Sequence, residues 1–147
     1  MAFISLNYFS EALGKQTEVY VVLPQKSNDG EIGIGSAKGA DNCKCLYLLH
    51  GHSDDHTIWM RRTSIERYAT EYGICVVMPC GDRSFYTDMK YAMKYYTFVA
   101  KELPGVLEAH DMTPEASVTK LMWVLGQTDD RALAQKMFTT PIQHDLL

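Results

Sequence analysis

No apolar run in this 147-residue chain approaches the ~20 residues that a membrane-spanning helix needs. The start, MAFISLNYFSEALGKQ, also lacks the basic opening and apolar centre of a secretory signal, so a cytoplasmic location and no membrane partner are expected. Positive charge is scarce: 14 Lys and Arg face 18 Asp and Glu, for a net charge of -4, and the basic residues form no stripe. That balance excludes a nucleic-acid backbone as the natural partner. Cysteine is limited to Cys43, Cys45, Cys75 and Cys80, spaced C-x-C and C-x4-C. Neither spacing is the C-x2-C pair of a zinc knuckle, so no metal is expected and the four read as buried reduced thiols. Cys80 would sit where a strand opens to a loop, as core or pocket wall rather than as a nucleophile. With 46% hydrophobic residues and five prolines, what remains fits an ordinary globular core.

Phe3 to Phe9 and Gln16 to Leu23 alternate apolar and polar residues around the break Ala12-Leu13-Gly14, predicting an antiparallel strand pair. The segment from Pro24 to Lys44 is rich in Gly, Ser, Asn and Asp and reads as a long surface loop. Its glycines match no phosphate-binding fingerprint. Cys45 to Leu49 and Ile74 to Met78 are unbroken apolar runs, the pattern of strands buried on both faces. Between them, Thr63-Ser64-Ile65-Glu66 has capping-box spacing, Ile65, Tyr68, Ala69 and Tyr72 recur at helical intervals, and Gly73 stops the helix. Strand, helix, strand predicts a parallel crossover. Both strand ends would then open on one sheet edge, bringing the loop His50 to Trp59 beside the loop Pro79 to Asp88.

A His-Gly turn after a buried strand bends the chain sharply and aims the next backbone N–H outward, where it can stabilise a developing oxyanion. Here the turn is His50-Gly51 and the donor His52. Trp59, Phe85 and Tyr86 could wall an apolar pocket, with Arg83 or Ser84 orienting a polar group.

These segments, HGHSDDHTIW, RRTSIERYATEYG, VVMP and RSFYTDMKY, resemble the bacterial esterase family that includes tributyrin esterases and, more distantly, esterase D (S-formylglutathione hydrolase). The resemblance covers about Ala2 to Pro104. It implies an α/β-hydrolase fold and a Ser, Asp, His triad cleaving short acyl esters or thioesters without a cofactor. It also implies an oxyanion hole at Gly51 and His52 and a substrate pocket at Trp59, Ser84 and Tyr86.

The chain departs from that family at one point: no Gly-x-Ser-x-Gly elbow occurs anywhere. Gly126-Gln127-Thr128-Asp129-Asp130 is the nearest candidate, and a second register makes Asp130 the triad acid and His144 its base. Both need a strand before Gly126. The local signals predict helix instead, with Thr113 as N-cap, Pro114 at the first position and Gly126 at the end, then a second helix from Thr128 or Asp129 through Phe138.

The stretch from Gly105 to Leu147, GVLEAHDMTPEASVTKLMWVLGQTDD onward, resembles the C-terminal end of type I L-asparaginases. The nucleophilic threonines of that family lie in segments with no counterpart here. The expected organisation is α/β: a partial α/β-hydrolase sheet over residues 1–104, then a C-terminal helical hairpin over residues 105–147. Three readings of function follow. One is a carboxylesterase-family hydrolase lacking its serine elbow, with a small acyl ester as ligand. Another is a non-catalytic fusion that binds acyl ligands or partner proteins, and the third is a truncated product of rearrangement. A half sheet would leave apolar faces open, so a homo-oligomer is a further possibility.

Overall fold

The computed structural model describes residues 1–25, 27–31, 35–37, 43–112 and 120–122. Strands β1 (Ala2–Ser10) and β2 (Lys15–Leu23) pair antiparallel without a register break, from Ala2↔Leu23 to Ser10↔Lys15. Their turn closes on Gly14, whose φ of +63° suits a residue without a β-carbon and whose N–H bonds the Ser10 carbonyl at 2.8 Å. Burial alternates along β1, with Ile4, Leu6 and Tyr8 on the inner face as the sequence pattern predicts, whereas the apolar Phe3 and Phe9 fall on the exposed face.

The segment expected to be one long loop carries a small hairpin of its own, β3 (Ser27–Glu31) against β4 (Gly35–Ala37), with a register irregularity. These strands are short and, Ala37 apart, their residues are polar or glycine, so they left no periodic signal. Strands β5 (Lys44–Leu48) and β6 (Ile74–Pro79) are parallel, as the two apolar runs predicted, and β6 also pairs antiparallel with β2. A three-residue strand, β7 (Lys120–Met122), runs parallel to β5. The sheet order is β1-β2-β6-β5-β7.

Strand β7 corrects the helical expectation at Lys120–Met122. The free edge of β5 offers unpaired backbone groups, and the neighbouring Val118, Thr119, Trp123 and Val124 are β-branched or aromatic residues that favour strand over helix. The rest of the expected hairpin lies outside the described residues.

Helices cover both faces of the sheet. On one, Val22, Leu48, Val76 and Met78 pack with Ile65 and Ala69 of α2 (Ile65–Tyr72) and with Trp59 of α1 (Ile58–Arg62). Helix α2 ends at Gly73 in the left-handed conformation, φ +63°, as expected. Its start differs from the predicted capping box. Ser64 is the N-cap without a side-chain bond, and the Thr63 hydroxyl instead donates to the Trp59 carbonyl at the end of α1. Helix α1 ends only one residue earlier, and its Trp59 carbonyl accepts both the Thr63 N–H, at 3.1 Å, and the Thr63 hydroxyl. Tyr68 and Tyr72 of the predicted apolar stripe are exposed, and α2 buries Ile65, Ala69 and Thr70.

On the opposite face Val19, Val21, Cys45, Tyr47, Cys75 and Val77 pack against Phe98, Val99, Leu103 and Leu107. Those four belong to one helical run, made of α3 (Tyr95–Thr97), a π-helical turn (Phe98–Glu102) and α4 (Leu103–Ala109). Pro104 accounts for the widening: it has no N–H to offer the carbonyl four residues back, at Ala100, and its ring crowds that carbonyl. The place where the two sequence resemblances meet, Leu103 to Gly105, falls inside this run, and Leu103 and Leu107 sit in the same core. Among the described residues no helix is long and apolar enough to cross a membrane.

Candidate functional site

Because β5 and β6 are parallel, the loops that follow them leave the sheet at the same edge. His50 joins the two. Its imidazole is buried, 1% exposed, and lies between Gly51 and Gly81. The Gly81 N–H donates to Nε2 at 2.8 Å, and Nδ1 lies 2.7 Å from the Gly51 carbonyl. A backbone N–H only donates and a carbonyl only accepts, so the ring carries its proton on Nδ1. From the second loop the Tyr86 hydroxyl returns a bond to the His50 carbonyl at 3.0 Å. Burial pushes the Tyr86 phenol above its ordinary range, which keeps it protonated as a donor at neutral pH.

The second loop is tightly wound. Ser84 is buried, its hydroxyl donating to the Gly81 carbonyl at 2.6 Å and accepting the Tyr86 N–H at 3.0 Å. Asp82, Phe85 and Tyr86 all take positive φ, at 45°, 51° and 55°. Such backbone is costly for residues with side chains and persists where surrounding contacts impose it. Here those contacts include the ring of Tyr86 lying over Gly81 and the Ser84 hydroxyl bridge.

The expected oxyanion turn lies at the mouth of this assembly. Gly51 is buried and His52 exposed, with the His52 ring stacked on Phe85 at 4.9 Å between centroids. Asp54 closes the turn onto the Gly51 carbonyl at 3.2 Å. Among the described residues the His52 N–H has no hydrogen-bond partner. Trp59 is half-buried and donates Nε1–H to the Leu49 carbonyl at 3.1 Å, pinning α1 to the end of β5. Asp55 holds the start of α1 by accepting from the Thr57 N–H at 2.9 Å and from its hydroxyl, which lowers the carboxyl's pKa.

Of the predicted pocket residues, Trp59 is partly exposed, whereas Ser84 commits its hydroxyl within its own loop and Tyr86 donates its hydroxyl to the His50 carbonyl. Asp130 and His144 lie outside the described residues. Cys43, Cys45 and Cys75 are buried free thiols. Cys80 is half-buried and its thiol is pushed up by burial, the opposite of what a thiolate nucleophile needs. Sequence reasoning read His50 as half of the His-Gly turn and Gly81 only as part of the loop Pro79 to Asp88; their pairing carries no local motif and becomes visible when β5 and β6 are set side by side.

A second cluster secures the edge from below. Lys15, in the hairpin, reaches Asp82 at 2.7 Å, and the Tyr95 hydroxyl donates to the same carboxylate oxygen. The Ala12 N–H donates to Glu102 at 2.7 Å, and the Lys94 N–H to the Ala12 carbonyl at 3.1 Å. These bonds tie the β1–β2 turn to the helix that packs beneath the sheet.

Known proteins resemble this chain in sequence and fold. An acetyl esterase of Caldicellulosiruptor saccharolyticus is 31% identical over 104 residues, 70% of this chain and 38% of that one. The fluorophosphonate-binding serine hydrolase F of Staphylococcus aureus is 36% identical with a TM-score of 0.64, over 78% of this chain and 43% of its own. An S-formylglutathione hydrolase from the same organism is 35% identical with a TM-score of 0.60, over the same shares. The chain thus spans less than half the length of each. A family model described as the glutaminase/asparaginase C-terminal domain matches residues 62–138, beginning well before the Gly105 at which the sequence resemblance was placed. Its sheet and edge loops are thus similar to S-formylglutathione hydrolase-like esterases of the α/β-hydrolase fold, and through residues 62–138 the chain belongs to the glutaminase/asparaginase C-terminal domain family.

Proposed function

We propose that the described part of this chain is the acyl-binding half of a carboxylesterase-type hydrolase of short acyl esters or thioesters. The observation that carries the reading is the His52 N–H at the end of β5, unpartnered among the described residues and held in place by the His50, Gly81 and Tyr86 clamp. A donor fixed in this way stabilises an acyl oxygen without reorganising, which is what an oxyanion hole requires. Gly51 permits the turn, Phe85 and Trp59 offer apolar surface beside it, and Ser84 and Tyr86 set the wall. No cofactor enters this chemistry.

Ester cleavage also needs a nucleophile beside that donor, and the sequence has no Gly-x-Ser-x-Gly. The chain is accordingly expected to bind short acyl ligands with little or no turnover of its own. The alternative is a fusion whose sheet serves partner binding, without affinity for acyl groups.

Incubating the purified chain with p-nitrophenyl acetate and with a fluorophosphonate probe, and melting it with and without short acyl ketones, tests the reading. The expected result is ligand-dependent stabilisation without a probe adduct. Probe-sensitive hydrolysis would instead reveal a working nucleophile, and a flat melting response across the ketones would overturn acyl binding and leave the partner-binding fusion or the truncated product.

A further inference from the structure

Strand β1 ends the sheet, and among the described residues only β2 pairs with it. A bare edge is a template for another strand, and proteins usually blunt one with charge, proline, a bulge or a very short strand. Strand β1 has none of these. Its nine residues, AFISLNYFS, contain no charged residue and no proline, and its pairing with β2 is unbroken. The acid nearest to it in register, Glu18 of β2, already accepts the Ser5 hydroxyl at 2.6 Å.

We infer that β1 pairs antiparallel with β1 of a second copy of this chain, about a two-fold axis through Leu6, making one continuous sheet across a homodimer. The register follows from the strand. Outward backbone groups recur at every second residue, so pairing joins positions of like parity. Among such registers, the one centred on Leu6 uses all nine residues, Ala2 against Ser10 at its ends.

That register also matches side chains on both faces. Phe3 and Phe9, 45% and 50% exposed, fall opposite each other twice, Phe3 of one copy facing Phe9 of the next. Between them Ser5 faces Asn7. On the other face Ile4 meets Tyr8 and Leu6 meets its own copy, extending the row of partly buried residues that already packs on the core. Cross-strand aromatic pairs of this kind are favourable contacts. Nine paired residues supply about eight to ten backbone hydrogen bonds, comparable to the roughly ten of a standard interface.

Sedimentation velocity of the full chain tests the inference, with three variants. The wild type should run at about twice 16.6 kDa. Phe3→Lys/Phe9→Lys places ammonium against ammonium twice and should weaken association at least tenfold. Phe3→Lys/Phe9→Glu places ammonium against carboxylate at the same positions and should restore the dimer. Leu6→Cys should yield a disulfide-linked dimer on mild oxidation, since the native thiols are buried or half-buried. Far-UV circular dichroism should be unchanged in all. A monomeric wild type would overturn the inference, as would a Phe3→Lys/Phe9→Lys variant that keeps the dimer mass, whether through another edge or another surface. Equal dissociation of the two double variants would overturn the register.

Discussion

The ring of Tyr86 occupies the space that a side chain at Gly81 would need: a β-carbon at Gly81 would lie 2.2 Å from Tyr86 Cε1. This close approach lets the Gly81 N–H reach His50 while the Tyr86 hydroxyl reaches the His50 carbonyl, so one histidine is held from both of its ends.

Gly81→Ala should therefore destabilise the fold by about 1–3 kcal/mol, the usual cost of forcing atoms into a filled site. Urea unfolding would measure it. A change within ~0.5 kcal/mol, the range of ordinary surface substitutions, would show that the Tyr86 ring can move aside freely.

Tyr86→Phe keeps the ring over Gly81 but leaves the buried His50 carbonyl without its donor. The expected loss is about 1–2 kcal/mol by thermal unfolding. No loss would mean that another donor, such as a water, replaces the phenol at no cost.

At the base of the site, stability should depend on pH at both extremes. Asp82 is held below the usual carboxylate range by Lys15 first and Tyr95 second, so its contribution is present above about pH 4 and disappears as pH falls through its lowered folded value. Lys15 is raised mainly by Asp82, and Tyr95 is pushed up to about 12 by burial and then by Asp82. Both contributions are complete below about pH 10 and are lost as pH rises through the folded values. The pair is half-exposed, so the effect is within about 1 kcal/mol. Asp82→Asn, which tolerates the positive φ, should flatten the acid limb. An unchanged acid limb would assign that limb to other carboxylates.

His52→Pro deletes the backbone donor, whereas His52→Ala keeps it and removes only the ring stacked on Phe85. If the N–H binds an acyl oxygen, the proline variant should lose acyl-ketone stabilisation at least tenfold in apparent affinity, and the alanine variant should keep most of it. Equal losses would move the binding from backbone to imidazole.

The sheet was legible because its strands wrote their burial into the sequence: Cys45 to Leu49 and Ile74 to Met78 are apolar on both faces, and the β1–β2 hairpin alternates. The turn at His50-Gly51 and the helix stop at Gly73 were legible for the same local reason. The clamp was not, because His50, Gly81 and Tyr86 are 31 and 36 positions apart and meet only through the parallel pairing of β5 and β6. Thr63 misled because capping-box spacing does not say which of two adjacent helices claims the hydroxyl. Lys120–Met122 misled because helical signals at Thr113 and Pro114 outweighed the pull of an open strand edge.

The position of β6 in the sheet constrains the order in which the molecule can assemble. The β1–β2 hairpin and β5 are not neighbours in the sheet, and β6 lies between them. A nascent chain emerging from its N-terminus can close the hairpin early, but the hairpin and β5 must wait unjoined until Pro79 has been made. Insertion of the central strand then joins the two parts, and β7 adds to β5 later. Such long-range closure slows folding relative to locally paired topologies, and it leaves the edges of β2 and β5 open to capture by a chaperone or by a second chain during synthesis.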